Sequence, residues 1–506
     1  MIWNHLVKLA LLGTARSSLP LSVEEKMNSL GVDTSRELSR LVLESAAIES
    51  VLLKAGFEPQ IDENKIPETC QQEVLPVCSF SSASHLRQIL SGTYPSALAE
   101  FVRKIVQQKK ILPFELLPDL FEKCLKNEYL WNSILPAIGK RGEWLIAFNP
   151  EWEELNQSLS SEIWATGSKS ERIRFLNKVR QENPTIGLDL VKSTWEEDSL
   201  PERILFLKIM ETGLSSCDEL FLEQCLLDTR KEIRVQALIL LALLPGSRLI
   251  SEVDTLLQLA VKIVNKGKEL LMVDAEPIED FLHKNLFFQP SVKWLSNERG
   301  SGMILPILVV FPPGRLSVFL KKKPGKILEL FSQQGDKWLE VIIKTTVLHR
   351  DADWMEAILS FFLQNERVDR WSQLNLNKML EILPDSVFNK VIFEKLKATK
   401  YLPEEESPLV KLLLLKYNEW GVSLAKIIMR QLFEWISVNR AYLWTGYQYR
   451  LLLKNAAYRV DTTAEKEISR MWLQDPTIWS GWEKEIRYFL TVLKFRSEML
   501  IELEKK

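Results

Sequence analysis

The chain has 506 residues, with 65 Lys+Arg against 67 Asp+Glu, 46% hydrophobic residues, and only 19 Gly and 22 Pro. That balance excludes a strongly basic nucleic-acid protein, an acidic-tail protein, a disordered chain and a collagen-like one. The length allows a large core, spread over two or three domains or one extended array.

At the start, residues 9–13 form a short apolar stretch bracketed by His5, Lys8 and Arg16. It is too short and too closely charged for a signal-peptide core, and it reads as part of an amphipathic helix. The longest apolar run, 303–311, contains Pro306 and is closed by Pro312 and Pro313. It falls short of the roughly 18 apolar residues that a spanning helix needs, so no membrane association is expected. The 5 cysteines, Cys70, Cys78, Cys124, Cys217 and Cys225, are thinly spread and form no CxxC pair. They are expected as reduced thiols, with the cytoplasm as compartment.

Residues 1–56 read as helical. Residues 57–76, polar and holding Pro59, Pro67 and Pro76, read as a loop or linker. From 77 onward the pattern is one of helices of about 10 to 18 residues joined by short turns, with alternating strand patterns nearly absent.

The strongest internal signal is a repeat. Arg172, Arg203 and Arg234 are spaced by 31 residues, as are Ile173, Ile204 and Val235, and Leu176, Leu207 and Leu238. Val179, Met210 and Leu241 follow the same spacing, so each unit places its apolar residues along one side of a helix. Capping-box pairs are predicted at Ser168/Glu171, Ser199/Glu202 and Thr229/Glu232. A second helix is predicted over 184–195 and over 218–227, with Trp164 and Trp195 again 31 apart. Arg141 and Leu145 extend the register upstream, to a stop at Asn149-Pro150. Helix, turn, helix, turn at a fixed period is the pattern of an α-solenoid, and 226–237 resembles a HEAT repeat with a shortened period.

Beyond Ile250 the register fades but the helical texture persists. Helices are predicted over 326–332, 336–348, 353–363, 375–383, 423–438, 446–458 and 483–504, with breaks near 289–302 and 398–408. The run 304–311 reads as helix, provided Pro306 lies in its first turn. Of the 16 tryptophans, 6 lie between Trp420 and Trp482, where they are expected to fill gaps between helices.

No cofactor or metal pattern emerges. His5, His85, His283 and His349 are far apart in sequence, without ligand spacing. His349-Arg350-Asp351 has the form of a kinase catalytic triplet, but the companion motifs are absent, and Asp351 or Asp353 is expected to cap the following helix. Lys321-Lys322-Lys323-Pro324-Gly325-Lys326 reads as a solvated loop, and Glu196-Glu197-Asp198 as acids favoured at a helix N-terminus. The candidate site residues are the ladder Arg141, Arg172, Arg203 and Arg234. The expectation is that each pairs with an acid of the neighbouring repeat and sets the stacking, with partner binding as the alternative.

Several segments together resemble one bacterial family of uncharacterised function. They are 10–16 (Ala-Leu-Leu-Gly-Thr-Ala-Arg), 139–145 (Gly-Lys-Arg-Gly-Glu-Trp-Leu), Asn149 to Trp152, and Thr194 to Glu197. The block from Gly213-Leu214-Ser215 through Asp218-Glu219 and 228–234 to Leu244-Pro245 carries most of it, and His349 to Trp354 adds a last motif. Thr229 stands at the second position of the family's usual Asp-Asp-Arg-type turn, a change expected to leave the helix cap intact. Members of that family are encoded beside a SWIM zinc-finger protein, a MoxR-type AAA+ ATPase and a von Willebrand factor A protein. The resemblance therefore implies a recruiting role in an ATPase-driven system, with no catalytic residues to carry over.

The resulting expectation is an all-α chain, an α-solenoid of HEAT-like helical repeats over 77–260 with irregular helical flanks, the C-terminal one over 261–506. Its expected function is a non-catalytic scaffold or adaptor for protein partners. The rival is a nucleic-acid-binding protein with a concave basic face, and an enzyme built from dispersed residues is a third possibility.

Overall fold

The computed structural model describes residues 2–16, 18–55, 68–125, 127–149, 151–152, 162–265, 267–285, 300–364, 376–439, 446–473 and 481–505. The chain divides into two compact units, Met1–Cys70 and Gln71–Lys506. Most of the linker expected over 57–76, most of the break expected over 289–302, and Trp444 and Trp479 lie outside the described residues.

The first unit holds α1 (Ile2–Leu12), α2 (Leu21–Ser29) and α3 (Leu38–Ala55) around Leu6, Leu9, Met27 and Leu41. The second opens with α4 (Phe80–Leu90), α5 (Leu98–Gln107), α6 (Leu117–Cys124), α7 (Glu128–Ile134) and α8 (Gly139–Phe148). A short α9 (Ile163–Thr166) leads into three helix pairs: α10 (Lys169–Glu182) and α11 (Pro184–Thr194), α12 (Leu200–Ile209) and α13 (Glu219–Cys225), α14 (Lys231–Leu243) and α15 (Arg248–Ala260). The first helix of each pair packs on the next, α10 on α12 and α12 on α14. Leu176, Leu207 and Leu238 are buried in one continuous core, as their common spacing requires.

Two capping boxes form as predicted. The Glu171 carboxylate accepts from the Ser168 N–H at 2.6 Å, and that of Glu202 from the Ser199 N–H at 3.1 Å. The third does not form. Helix α14 starts one residue later than the box requires, after Arg230, whose N–H donates to the Asp228 carboxylate at 2.7 Å. A box missed in the sequence, Ser215/Asp218, opens the turn before α13.

One departure from the helical pattern follows α15. Strands β1 (Val261–Asn265) and β2 (Glu269–Val273) form an antiparallel hairpin, Val261 opposite Val273 and Ile263 opposite Leu271. Its β-branched residues suit a strand, but five residues are too few for periodicity to separate strand from helix. Packing against α15 and a later helix supplies the support that a lone hairpin lacks in water.

Next come α16 (Glu276–Lys284), α17 (Leu305–Leu308) and α18 (Pro313–Leu320), with Pro306 inside the first turn of α17. They lead into α19 (Pro324–Gln334), α20 (Asp336–His349), α21 (Ala352–Gln364), α22 (Leu376–Ile382) and α23 (Asp385–Lys397). The chain continues through α24 (Pro408–Leu415), α25 (Val422–Val438), α26 (Tyr447–Arg459), α27 (Glu465–Leu473) and α28 (Glu483–Glu504). Here alternate helices pack together: α19, α21, α23, α25 and α27 form one row, while α20 packs on α22, α24 on α26 and α26 on α28. Trp420, Trp472 and Trp482 are buried among these helices, and Trp435 meets Tyr449 edge-on at 4.6 Å.

Helix α28 also packs on α4 and α5, so the segment that opens the second unit lies against the chain's last helix. Phe495, Met499 and Leu503 enter a core with Leu86, Phe101, Ile105 and Phe121. No single described helix is long and apolar enough to cross a membrane. Helices α14 and α15 are so only when taken together, and they meet at a bend of 78°.

Three helices or turns end on a non-glycine residue in the left-handed region: Lys109 (φ 50°), Lys321 (φ 52°) and Arg350 (φ 51°). At Lys321 this lets the Lys322 N–H reach the Ser317 carbonyl at 3.2 Å, closing α18. The side chain crowds its own backbone there, so Lys321→Gly is expected to raise stability by about 1 kcal/mol. Hydrogen exchange of the α18–α20 amides in the variant against wild type reads it, and unchanged or lowered protection counts against it.

Candidate functional site

The four arginines of the expected ladder do different work. Arg172 donates to the Asp198 carboxylate at 2.8 Å and the Thr194 hydroxyl at 3.0 Å, with its guanidinium over Trp164 and Phe206. It thus reaches an acid ahead of the next unit. Arg203 donates to the carbonyls of Glu196 and Asp198, both at 2.9 Å, and Arg234 to those of Asp228 and Thr229 at 2.7 and 2.8 Å. Both thus bind turn carbonyls just ahead of their own helices, and the Arg203 guanidinium also lies 3.8 Å from the exposed Glu196 carboxylate. Arg141 lies apart from them, stacked 4.2 Å above Phe114.

The arginine that sequence spacing missed is Arg180, completely buried. Its guanidinium grips both Asp218 oxygens at 2.9 and 3.0 Å and donates to the carbonyls of Thr212, Pro184 and Met210 at 2.7–2.9 Å. All five N–H donors are thereby used. Gly187 and Gly213 make room for it: a Cβ at Gly187 would lie 2.4 Å from the Arg180 Cδ, and one at Gly213 2.8 Å from the Arg180 carbonyl oxygen.

The C-terminal helices repeat this device with other residues. Lys395 on α23 donates to Leu363 O at the end of α21, and Gln431 on α25 to Leu396 O and Thr399 O at the end of α23. Lys416 donates to Leu380 O and Leu383 O at 2.9 and 2.7 Å, Arg459 to Leu413 O, and Arg496 to Ala457 O and Val460 O, both at 2.9 Å. Each donor satisfies carbonyls at the end of the helix two before it; all but the exposed Lys395 are buried, and all but Gln431 are cations, which that helix's negative pole favours. Burial pulls Arg459 down to about 10, so it remains charged at neutral pH, and its guanidinium lies over Tyr417 and Trp420 at 5.4 and 5.2 Å. Lys416, Arg459 and Arg496 are spaced by 43 and then 37 residues, so no fixed period announces them.

Arg496 has a second partner. Its Nε and Nη2 hold the two Glu100 oxygens at 2.6 and 2.7 Å, tying α28 to α5. Lys110 donates to Leu503 O at 2.9 Å and the Ser79 hydroxyl to Glu502 at 2.8 Å across the same seam.

The His349-Arg350-Asp351 triplet forms a turn. The Asp351 carboxylate accepts from the Trp354 N–H at 3.1 Å and so caps α21, while Arg350 pairs with Glu211 at 2.8 Å. His349 donates from Nε2 to Val310 O at 2.9 Å, and burial holds it below the ordinary histidine range. Its folded value lies below its unfolded one, so its stabilising effect is present above about pH 6.5 and is lost on acidification. Between about pH 7.5 and about pH 5.5, His349→Gln should lose less stability than wild type, as read by thermal melts at both values. An equal loss in the two proteins contradicts this.

Other motifs behave alike. Glu73 accepts from the N–H groups of Lys140 and Arg141, both at 2.8 Å, and a Cβ at Gly139 would strike that carboxylate. Burial pushes the thiols of Cys78, Cys124 and Cys225 up to about 12, well away from the thiolate state. Among the described residues, no group of three or more His, Cys, Asp or Glu is placed to hold a metal ion.

Two open grooves flank α23 on the row of odd-numbered helices. The first, about 570 Å³, brings Lys323 of the basic run beside Asp351, Asp353, Glu356 and Lys390, with Lys390 held to Glu356 at 2.7 Å. The second, about 420 Å³, lies between α23, α25 and α27. Phe393, Ile427, Ile468 and Met471 floor it, and Lys397, Lys426, Arg430 and Glu467 rim it.

No curated protein and no solved structure matches the chain. The model of one family matches residues 5–503, nearly the whole length. The chain belongs to that family, DUF5691, a family of unknown function.

Proposed function

We propose that the chain is a non-catalytic scaffold or adaptor that presents one face of its helical stack to protein partners. In this reading the helix pairs form a right-handed α-solenoid of HEAT-like units, continued by the C-terminal rows. The system it serves is a cytoplasmic one driven by a MoxR-type AAA+ ATPase, with a von Willebrand factor A protein and a SWIM zinc-finger protein as further partners.

The observation that carries this reading is how the polar motif residues are used. Thr194, Asp218, Asp228, Arg234 and Asp351 all serve caps, turns or ion pairs inside the fold. Side chains so engaged hold a shape and leave recognition to the surface between helices. Crosslinked affinity capture of the tagged chain from its native cell tests the proposal. Recovery of the ATPase or the von Willebrand factor A protein supports it, and repeated recovery of neither overturns it.

A further inference from the structure

We propose that the groove between α23, α25 and α27 docks a short acidic amphipathic segment of a protein partner, an inference that rests on the scaffold reading above. The floor is apolar: Ile427 and Ile468 are buried, and Phe393 and Met471 are partly covered. The rim sets three cations, Lys397, Lys426 and Arg430, against one carboxylate, Glu467. Lys426 already engages Glu467, which leaves Lys397 and Arg430 exposed and without an ion-pair partner among the described residues. A chain whose total charge is −2 thus sets two cations without an ion-pair partner among the described residues at the edge of an apolar trough.

That combination selects its occupant. Apolar anchors at helical spacing fill the floor and supply affinity, while carboxylates on the flanks meet the rim cations and supply orientation and a salt-dependent on-rate. A phosphate backbone fits less well, since it gains nothing from isoleucines and is repelled by Glu467. The groove volume is within the range of clefts that enclose a few side chains.

The test selects a randomised peptide library on the full chain, with the Lys397→Glu/Arg430→Glu variant as counter-target. Selected peptides should combine Asp or Glu with Leu, Ile, Phe or Met, and bind the variant at least about tenfold more weakly. Their affinity for wild type should fall as salt rises. Met471→Gln, placed on the partly covered floor, should weaken binding without changing the charge of the groove.

Failure to enrich any peptide, or peptides that bind wild type and variant alike, overturns the proposal. So does a single-stranded DNA oligonucleotide that binds wild type and is lost in the variant. Crosslinked capture with the same variant separates the two readings. A partner recovered equally by wild type and variant removes the groove and leaves the scaffold, whereas recovery by neither removes both.

Discussion

Asp218→Asn is expected to destabilise the helices around Arg180 by about 3–5 kcal/mol, because it leaves a guanidinium charge buried without its anion. The side chains of Arg180 and Asp218 are 0% and 1% exposed, so water cannot replace the lost carboxylate charge. The amide of Asn can still hydrogen-bond, and the expected loss is therefore mainly electrostatic. Arg180→Met with Asp218→Leu removes both charges together and should cost less than Asp218→Asn alone. Two compact units are not expected to unfold in one step, so hydrogen exchange of the α10–α13 amides is the suitable measurement. A change below about 1 kcal/mol in Asp218→Asn would falsify the assignment of this pair as the pin between the first two helix pairs.

Glu100→Gln is the second change with a large expected effect. The Glu100 side chain retains 16% exposure against 2% for Arg496, so some solvent can compensate, and the expected cost is about 2–4 kcal/mol. The effect should be local to the seam. Exchange protection in α4 and α5 falls, because α28 then holds them by the Phe495, Met499 and Leu503 packing and the weaker polar contacts of Lys110 and Ser79, while α10–α15 keep theirs. Arg496→Met should cost more, since it also strands the carbonyls of Ala457 and Val460. Equal exchange in α4 and α5 of wild type and Glu100→Gln would show that the Arg496–Glu100 pair does not hold the seam.

Both predictions rest on buried arginines, and these were the residues least visible in the sequence. Arg172, Arg203 and Arg234 share a period, yet Arg172 holds a carboxylate while the other two bind chiefly turn carbonyls. Arg180 and Arg496 have no periodic counterpart. Each does its work through partners 30 to 40 residues away or at the other end of the unit, as with Asp218 and Glu100. The grooves were equally hidden, since Phe393, Ile427 and Ile468 come from three helices and become a trough only when α23, α25 and α27 lie side by side.

The local chemistry was legible. Helix α28 spans 483–504 and α26 spans 447–459, within a residue of expectation, because a 3.6-residue apolar period depends only on near neighbours. Ser168 and Ser199 announced their boxes for the same reason, and Asp351 its cap. Thr229 misled: the pattern was present, but Asp228 claimed the Arg230 N–H and the helix began one residue late.

By itself, then, the sequence determined the helical class and most helix limits, both governed by interactions within a few residues. Tertiary structure alone decided that the last helix packs on the first helices of its unit, which buried cations close which helix ends, and where the grooves open. Those outcomes depend on which distant carbonyls and carboxylates are dehydrated together, and a buried charge takes the nearest acceptor in space, whatever its place in the chain.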